Sequence, residues 1–361
     1  MATLATDAER DAFAERLLGA MAGAFDVFAI YIGDTLGFYH ALAGDSPLTA
    51  AELAAETDTH DRYVREWCEQ QTVSGILAVD DPAKPAEERR YSLPPAHVEI
   101  LTDLESERFL APFAQLFVGA ATPISAVVEA FRTGEGVPRE AYGDDYREGQ
   151  GRLNRPAYLD LLGREWLQAL PDVDARLHLE DARVADVCCG HGFAAIGVAD
   201  TYPTVHVDAF DTDGRAVESA RRHVAEFGLV DRVDVQQADV ADLTTDEPYD
   251  LVLAFECVHE LADPVGALSA MRDLAGEHGS VLVMDRRVGD GFGDELEYDW
   301  LTYGWSVLHC LPVGLAEQPS AGTGAVMRPD TLRFYADEAG FERVEVLPIE
   351  HERYRFYRLY P

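Results

Sequence analysis

Basic residues are scarce in this chain. Only 29 of its 361 residues are lysine or arginine, against 66 aspartates and glutamates; Lys84 is the single lysine, and the formal net charge is −37. That balance excludes the basic footprint which nucleic acid and anionic membrane surfaces require, so neither is expected as a partner. Cysteines are few as well: Cys68, Cys188, Cys189, Cys257 and Cys310 form an odd set without paired spacings, which argues against a disulfide framework. No apolar run approaches the ~18–20 residues of a membrane-spanning helix, so a soluble globular protein is expected. The start, MATLATDAERDAF, has no basic flank followed by an apolar core; no secretory signal and a cytoplasmic location are the expectation.

What is present is enough apolar residue, 47%, and enough length for two domains. Residues 8–44 read as helical, with Phe13, Leu17, Leu18, Met21, Phe25, Phe28 and Ile32 recurring at three and four. Thr49 and Glu52 have capping-box spacing for a short helix. A second helix, 60–73, carries Tyr63, Val64, Trp67 and Cys68 on one face, with Gly75 placed to stop it. Segments 76–79 and 90–93 flank a polar turn, so the order of elements is that of a winged helix. Residues 46–104 hold 5 basic against 12 acidic side chains, which points to dimerisation or substrate capping rather than DNA binding. The apolar face of 8–44 needs a cover and supports a homodimer. The acidic balance itself resembles the halophilic-type acidic surface of proteins from salt-loving archaea.

A glycine-bearing, loop-rich connector over 132–151 sets the expected boundary: 1–150 helical and winged-helix, 151–361 α/β. From Arg183 strands and helices alternate, which implies a mostly parallel sheet with helices on both faces. The last two strands, 343–348 and 354–360, are joined too briefly for a parallel crossover and must be antiparallel. An insertion, 286–328, precedes the final helix.

The segment VADVCCGHGFAAIGVADTYPTVHVDAFD, 184–211, is an apolar strand, a Gly-x-Gly turn, a helix and an acid-ended strand. It marks a nucleotide-binding βαβ unit in which the turn admits a ligand and Asp211 reaches ribose hydroxyls. A dinucleotide would want a third glycine where Ala195 stands, and would require neither Asp186 nor the terminal strand hairpin. With those features the chain resembles the class I S-adenosylmethionine-dependent methyltransferases. Their fold implies a Rossmann-like seven-stranded, mostly parallel sheet with an antiparallel last strand, here preceded by an α-helical winged-helix domain. The resemblance implies a cofactor site of Asp186, Cys188, Gly190, His191, Gly192, Phe193, Asp211, Thr212, Asp239, Val240 and Phe255. Cys188 departs from the glycine usual in that family. Tyr63-Val-Arg-Glu-Trp67, Ser92-Leu-Pro-Pro95, Asn154-Arg-Pro156 and Leu161-Leu-Gly-Arg-Glu-Trp166 narrow the likeness to a bacterial and archaeal subgroup related to small-molecule O-methyltransferases, whose front domain dimerises and helps roof the pocket.

Methyl transfer needs an in-line acceptor and a base for its proton. His259-Glu260, just past the fourth strand of the sheet, matches the place where the small-molecule O-methyltransferases keep that base; a packing or capping role is the plainer alternative. Cys188, Cys189, His191, Cys257 and His259 lack metal-ligand spacing, so no metal is expected. Tyr298, Trp300, Tyr303, Trp305 and His309 form a candidate substrate lid, or simply helix core. The expectation is a homodimeric methyltransferase with S-adenosylmethionine as cofactor and a small-molecule acceptor, methylated at oxygen. Its rivals are a winged-helix regulator with a ligand-sensing domain and an NAD oxidoreductase.

Overall fold

Thr6 accepts the Glu9 N–H at 3.2 Å while the Glu9 carboxylate accepts the Thr6 N–H at 2.6 Å, a capping box that starts α1 (Asp7–Thr35). The computed structural model describes residues 6–44, 46–294 and 296–361. Residues 1–5, part of the segment in which no secretory signal is expected, and residue 295, inside the expected insertion, lie outside the described residues.

Two compact units emerge, one of residues 1–119 with 148–153, the other of 120–147 with 154–361. The first continues with α2 (Phe38–Leu42), β1 (Leu48–Thr49), α3 (Ala50–Glu56), α4 (Asp61–Val73), β2 (Ala78–Val79), β3 (Arg90–Ser92) and α5 (Pro95–Thr102), and holds most of α6 (Ala111–Ala121). Thr49 and Glu52 cap α3 reciprocally as their spacing predicts. The three short strands pair antiparallel in the order β1-β3-β2, the sheet of a winged helix. Phe38, Tyr39, Leu53, Val64, Trp67 and Tyr91 form its core. Tyr63, in the first turn of α4, is not buried with Val64, Trp67 and Cys68; it is 80% exposed.

α1 is covered along one flank only. The Trp67 indole donates to the Ala29 carbonyl at 2.8 Å and Gln70 to Asp26 at 2.9 Å, yet Gly33 is the sole buried residue of the helix. Phe13, Leu18, Met21 and Phe25 are all more than half exposed. With a mean hydropathy of 1.4 over its best 18 residues, α1 is also long and apolar enough to cross a bilayer. Asp26 breaks the apolar stretch, so no unbroken run of that length exists, and it is alanines between the bulky residues that keep the mean high.

The second unit starts at α7 (Ile124–Thr133), followed by α8 (Gly143–Leu161) with a π-turn to Trp166, and α9 (Pro171–Leu177). The connector is therefore helical from residue 143, not loop to 151, and the expected boundary at 150 falls inside α8. Its glycines serve contact as well as turning: a Cβ on Gly149 would stand 2.9 Å from the Leu116 amide nitrogen. Then come β4 (Arg183–Val187), α10 (Phe193–Thr201), β5 (His206–Asp211), α11 (Gly214–Glu226), β6 (Val233–Gln237), β7 (Leu251–Phe255), α12 (Pro264–Ala275) and β8 (Ser280–Arg286). The insertion carries α13 (Asp299–Trp305), a π-turn and α14 (Leu311–Gly314); α15 (Pro329–Glu338), β9 (Arg343–Val346) and β10 (Tyr354–Tyr360) close the chain.

The seven strands order as β6-β5-β4-β7-β8-β10-β9. β4 to β8 pair in parallel, and β10 inserts antiparallel between β8 and β9, as the short connection requires. Side chains of β4 alternate between two cores, Val184 to one face and Ala185 and Val187 to the other, so both faces are sealed by helices. Such sheets bind ligands at the carboxyl edge of the parallel strands.

Candidate active site

The first half of the site is the turn between β4 and α10. Cys188, Gly190 and Gly192 all have positive φ (57°, 53° and 75°), a sequence of left-handed residues that curls the backbone under the carboxyl end of the sheet. A Cβ on Gly190 would meet nothing within 4 Å, so the space above the turn is open to a ligand. The Gly190 N–H donates to Asp211 Oδ2 at 2.8 Å, and the Asp213 N–H donates to Oδ1 at 2.9 Å; the turn and the end of β5 are locked together. Asp186 is buried and accepts the Ala195 N–H at 3.1 Å. Burial pushes its carboxyl up to about 7, against the Ala195 bond and with help from Asp211.

The remaining residues of this half fall into place around them. His191 and Phe193 stack with His223, at 5.7 and 4.6 Å, and the His191 carbonyl accepts from His223 Nδ1 at 3.0 Å. Thr212 and Asp239 are exposed just beyond β5 and β6, tied by the Ala238 N–H donating to the Asp211 carbonyl at 3.0 Å. Val240 is buried. Phe255 packs on Tyr158, with ring centroids 5.8 Å apart. Beside it Glu256, at φ 53°, pairs with Arg286 at 2.6 Å and accepts from Asn154 at 2.7 Å, which pins α8 to the end of β7.

The second half is assembled from four separate segments. His259 lies in a short 3₁₀ turn after β7, 3% exposed, with Nδ1 2.7 Å from Asp285 Oδ1 on β8. In the neutral ring a proton on Nδ1, facing the Asp285 carboxylate, leaves the lone pair on Nε2. Burial opposes charge on this imidazole, but the Asp285 carboxylate more than offsets it and raises the basicity of His259 well above the ordinary value. Glu260 Oε1 stands 3.7 Å from His259 Nε2 and accepts from His309 Nδ1 at 3.1 Å, while Arg139 binds the other oxygen. Burial disfavours the Glu260 charge, yet Arg139 and His309 hold its carboxyl well below the usual range. His309 is pushed down by burial and serves as a neutral donor.

Tyr146 stacks on His309 at 3.7 Å and 12°, Tyr142 meets it edge-on at 4.5 Å, and Trp305 meets Tyr146 at 6.4 Å. Of the expected lid, Trp305 and His309 join this cluster. Tyr303 accepts instead from Arg328 at 3.1 Å, Tyr298 is half-buried at the start of α13, and Trp300 is 72% exposed. Sequence inspection missed Asp285, Arg139, Tyr142, Tyr146 and Cys310. For Asp285 there was a signal: an acid inside the apolar strand SVLVMDR is buried only for a reason.

In the winged-helix unit Arg62, Arg65, Arg89 and Arg90 are paired with Glu66, Glu87, Glu69 and Glu52. Few cations are left to neutralise phosphates, so the regulator alternative is not favoured.

Residues 184–279 match the model of a methyltransferase domain, and residues 24–103 that of an Rv2258c-like winged HTH domain. A 3-amino-4-hydroxybenzoate 4-O-methyltransferase from Streptomyces cremeus is 25% identical over 96% of this chain and 90% of its own length. A trans-aconitate 2-methyltransferase from Streptomyces coelicolor is 32% identical over 30% of this chain. The chain spans only about a quarter to a third of the length of the first curated relatives it matches, 25% and 33%. Among solved structures, a mitomycin 7-O-methyltransferase has a TM-score of 0.73 at 20% identity, covering 98% of this chain and 99% of that one. Human N-acetylserotonin methyltransferase in complex with SAM has 0.72 at 18%, covering 100% and 99%. Residues 24–103 are thus similar to an Rv2258c-like winged HTH domain and residues 184–279 to a methyltransferase domain, and the fold of the whole chain is that of the two methyltransferase structures.

Proposed function

We propose that this protein is an S-adenosylmethionine-dependent methyltransferase acting on a small molecule, at oxygen, with His259 as general base. The observation that carries the proposal is the His259–Asp285 pair, set at the carboxyl ends of β7 and β8 in the same sheet edge as the open turn after β4. Relatives crystallised with S-adenosylmethionine and its demethylated product support the cofactor.

The turn fits such a cofactor: Gly190 leaves open space, Asp211 offers a carboxylate to ribose hydroxyls, and Asp186 offers a buried carboxyl to the methionine end. Asp239, Val240 and Phe255 are assigned to the adenine side and floor, with Cys188, His191, Phe193 and Thr212 around them. When bound, the sulfonium supplies an electrophilic methyl. The chain's own work is orientation and proton removal. His259 Nε2 takes the hydroxyl proton as the acceptor oxygen loses it, and Asp285 stabilises the imidazolium that results. Glu260 stays ionised, held by Arg139 and His309, and lies near enough to favour the same imidazolium.

The wall of Tyr142, Tyr146, Trp305 and His309 suits a flat aromatic acceptor, in keeping with the hydroxybenzoate relative. The wider lid assignment of Tyr298, Trp300 and Tyr303 belongs to the same proposal. Incubation with methyl-labelled S-adenosylmethionine and a panel of aromatic phenols tests it: labelled ether and S-adenosylhomocysteine are expected, and neither forming with any phenol overturns it.

A cytoplasmic homodimer completes the proposal, with a second copy covering the exposed Phe13, Leu18, Met21 and Phe25 of α1. A dimer mass in detergent-free buffer is expected; a monomer that partitions onto lipid vesicles would contradict it.

A further inference from the structure

The base cluster holds more ligating atoms than proton transfer uses. A His259 ring nitrogen, a Glu260 carboxylate oxygen and Cys310 Sγ all lie within 4.8 Å of one another. His259 Nε2 and Glu260 Oε1 are 3.7 Å apart; ligands about 2.0–2.3 Å from a tetrahedral ion are themselves roughly 3.3–3.7 Å apart. His259 is 3% and Cys310 4% exposed, so little competing water reaches these donors.

The surrounding residues orient the same three atoms. The other His259 nitrogen meets Asp285 at 2.7 Å, the carboxylate–histidine arrangement that fixes a metal-bound imidazole. Glu260 is held by Arg139 on one oxygen and by His309 at 3.1 Å on the other, which leaves its carboxylate steered towards His259. Asp285 Oδ2 is buried with no hydrogen-bond partner, an unsatisfied negative end just behind the imidazole. Without metal, Asp285 and Glu260 are balanced by Arg139 and a protonated His259; a divalent ion that displaces one proton from His259 and one from Cys310 keeps that balance. A nitrogen, oxygen and sulfur donor set selects zinc-like ions over calcium or magnesium, which want oxygen alone.

We propose that His259, Glu260 and Cys310 form a site for a thiophilic divalent cation of the zinc class, and that its binding shuts off the transferase by occupying the His259 Nε2 lone pair. On binding, the Cys310 thiol and the protonated His259 ring each release a proton to solvent as the metal–sulfur and metal–nitrogen bonds form, and a water takes the fourth position. The shut-off rests on the methyltransferase proposal; the site itself does not. It also revises the expectation of no metal, which rested on spacing: Cys310 comes from the insertion, far along the chain from His259, and no local motif announces it.

Cobalt(II) titration of the full chain tests the site. One cobalt per chain is expected, with a thiolate-to-cobalt charge-transfer band and the strong visible bands of a tetrahedral centre, both displaced by zinc. Cys310→Ser should lose the charge-transfer band while Cys68→Ser keeps it, and a parallel S-adenosylmethionine titration reports whether each variant is folded. No retained cobalt, or a band that survives Cys310→Ser, overturns the site. Zinc should lower turnover by about 100-fold, the scale of losing a general base, with recovery on adding a chelator. Full turnover in saturating zinc, with the cobalt band present, overturns the shut-off. The cobalt signature in a protein that never methylates would leave the site standing and retire the function.

Discussion

The two halves of the candidate site are built in opposite ways. The centre of the donor half, from Asp186 to Asp211, is one continuous βαβ unit held by bonds within it: Gly190 bonds to Asp211 and Asp186 to Ala195. The acceptor half draws His259 and Glu260 from the end of β7, Asp285 from β8, Arg139 and Tyr146 from the region around the start of α8, and His309 and Cys310 from the insertion. A contiguous unit keeps its geometry through local hydrogen bonds, so it can be reused with many partners. A half gathered from distant segments can vary one segment at a time, which suits the part that must choose an acceptor.

This contrast predicts that the halves separate on mutation. His259→Ala should lower kcat by about 10²–10⁴-fold while leaving S-adenosylmethionine affinity within about twofold, measured by steady-state kinetics and calorimetry on the same preparation. If affinity falls as far as kcat, the halves are not separable and His259 is structural. Asp285→Asn should cost less, roughly 10–100-fold in kcat, since it removes the imidazolium's counter-charge but keeps the shape. Unchanged kcat in Asp285→Asn would strip the pair of its catalytic meaning.

The smallest effect concerns pH. With its carboxyl raised to about 7, Asp186 adds stability to the cofactor-free protein that is fully present below the ordinary pKa near 4 and is lost as pH rises through 7. A cationic donor favours the ionised carboxylate, so affinity should climb up to about tenfold per pH unit below 7 and level off above it. Asp186→Asn should flatten both trends; a wild-type affinity already independent of pH between 5 and 8 would show that Asp186 does not face the donor's charge.

The same contrast explains what could be read from the sequence. Strand, turn and helix from Val184 to Asp211, the order of the later βα units and the antiparallel β10 were legible because hydrophobic period, glycines and short connections act locally. The capping box at Thr49 was legible for the same reason. Tyr63 was misplaced because helical period says which residues share a side and not how far along the helix the core extends, and the connector because Gly149 serves close packing rather than a turn. Asp285, Tyr146 and Cys310 reach His259 only through tertiary folding, which no spacing rule encodes. α1 shows another limit: Phe13, Leu18, Met21 and Phe25 are exposed, and no sequence period says what covers them.

Calorimetric titration of S-adenosylmethionine into the wild-type chain and into Asp211→Ala tests the central claim most directly. The account predicts one site per wild-type chain and an affinity weakened by about 10–100-fold in the variant, the scale of losing a charged hydrogen-bond partner. No binding to the folded wild type, or equal affinity in both proteins, would contradict it.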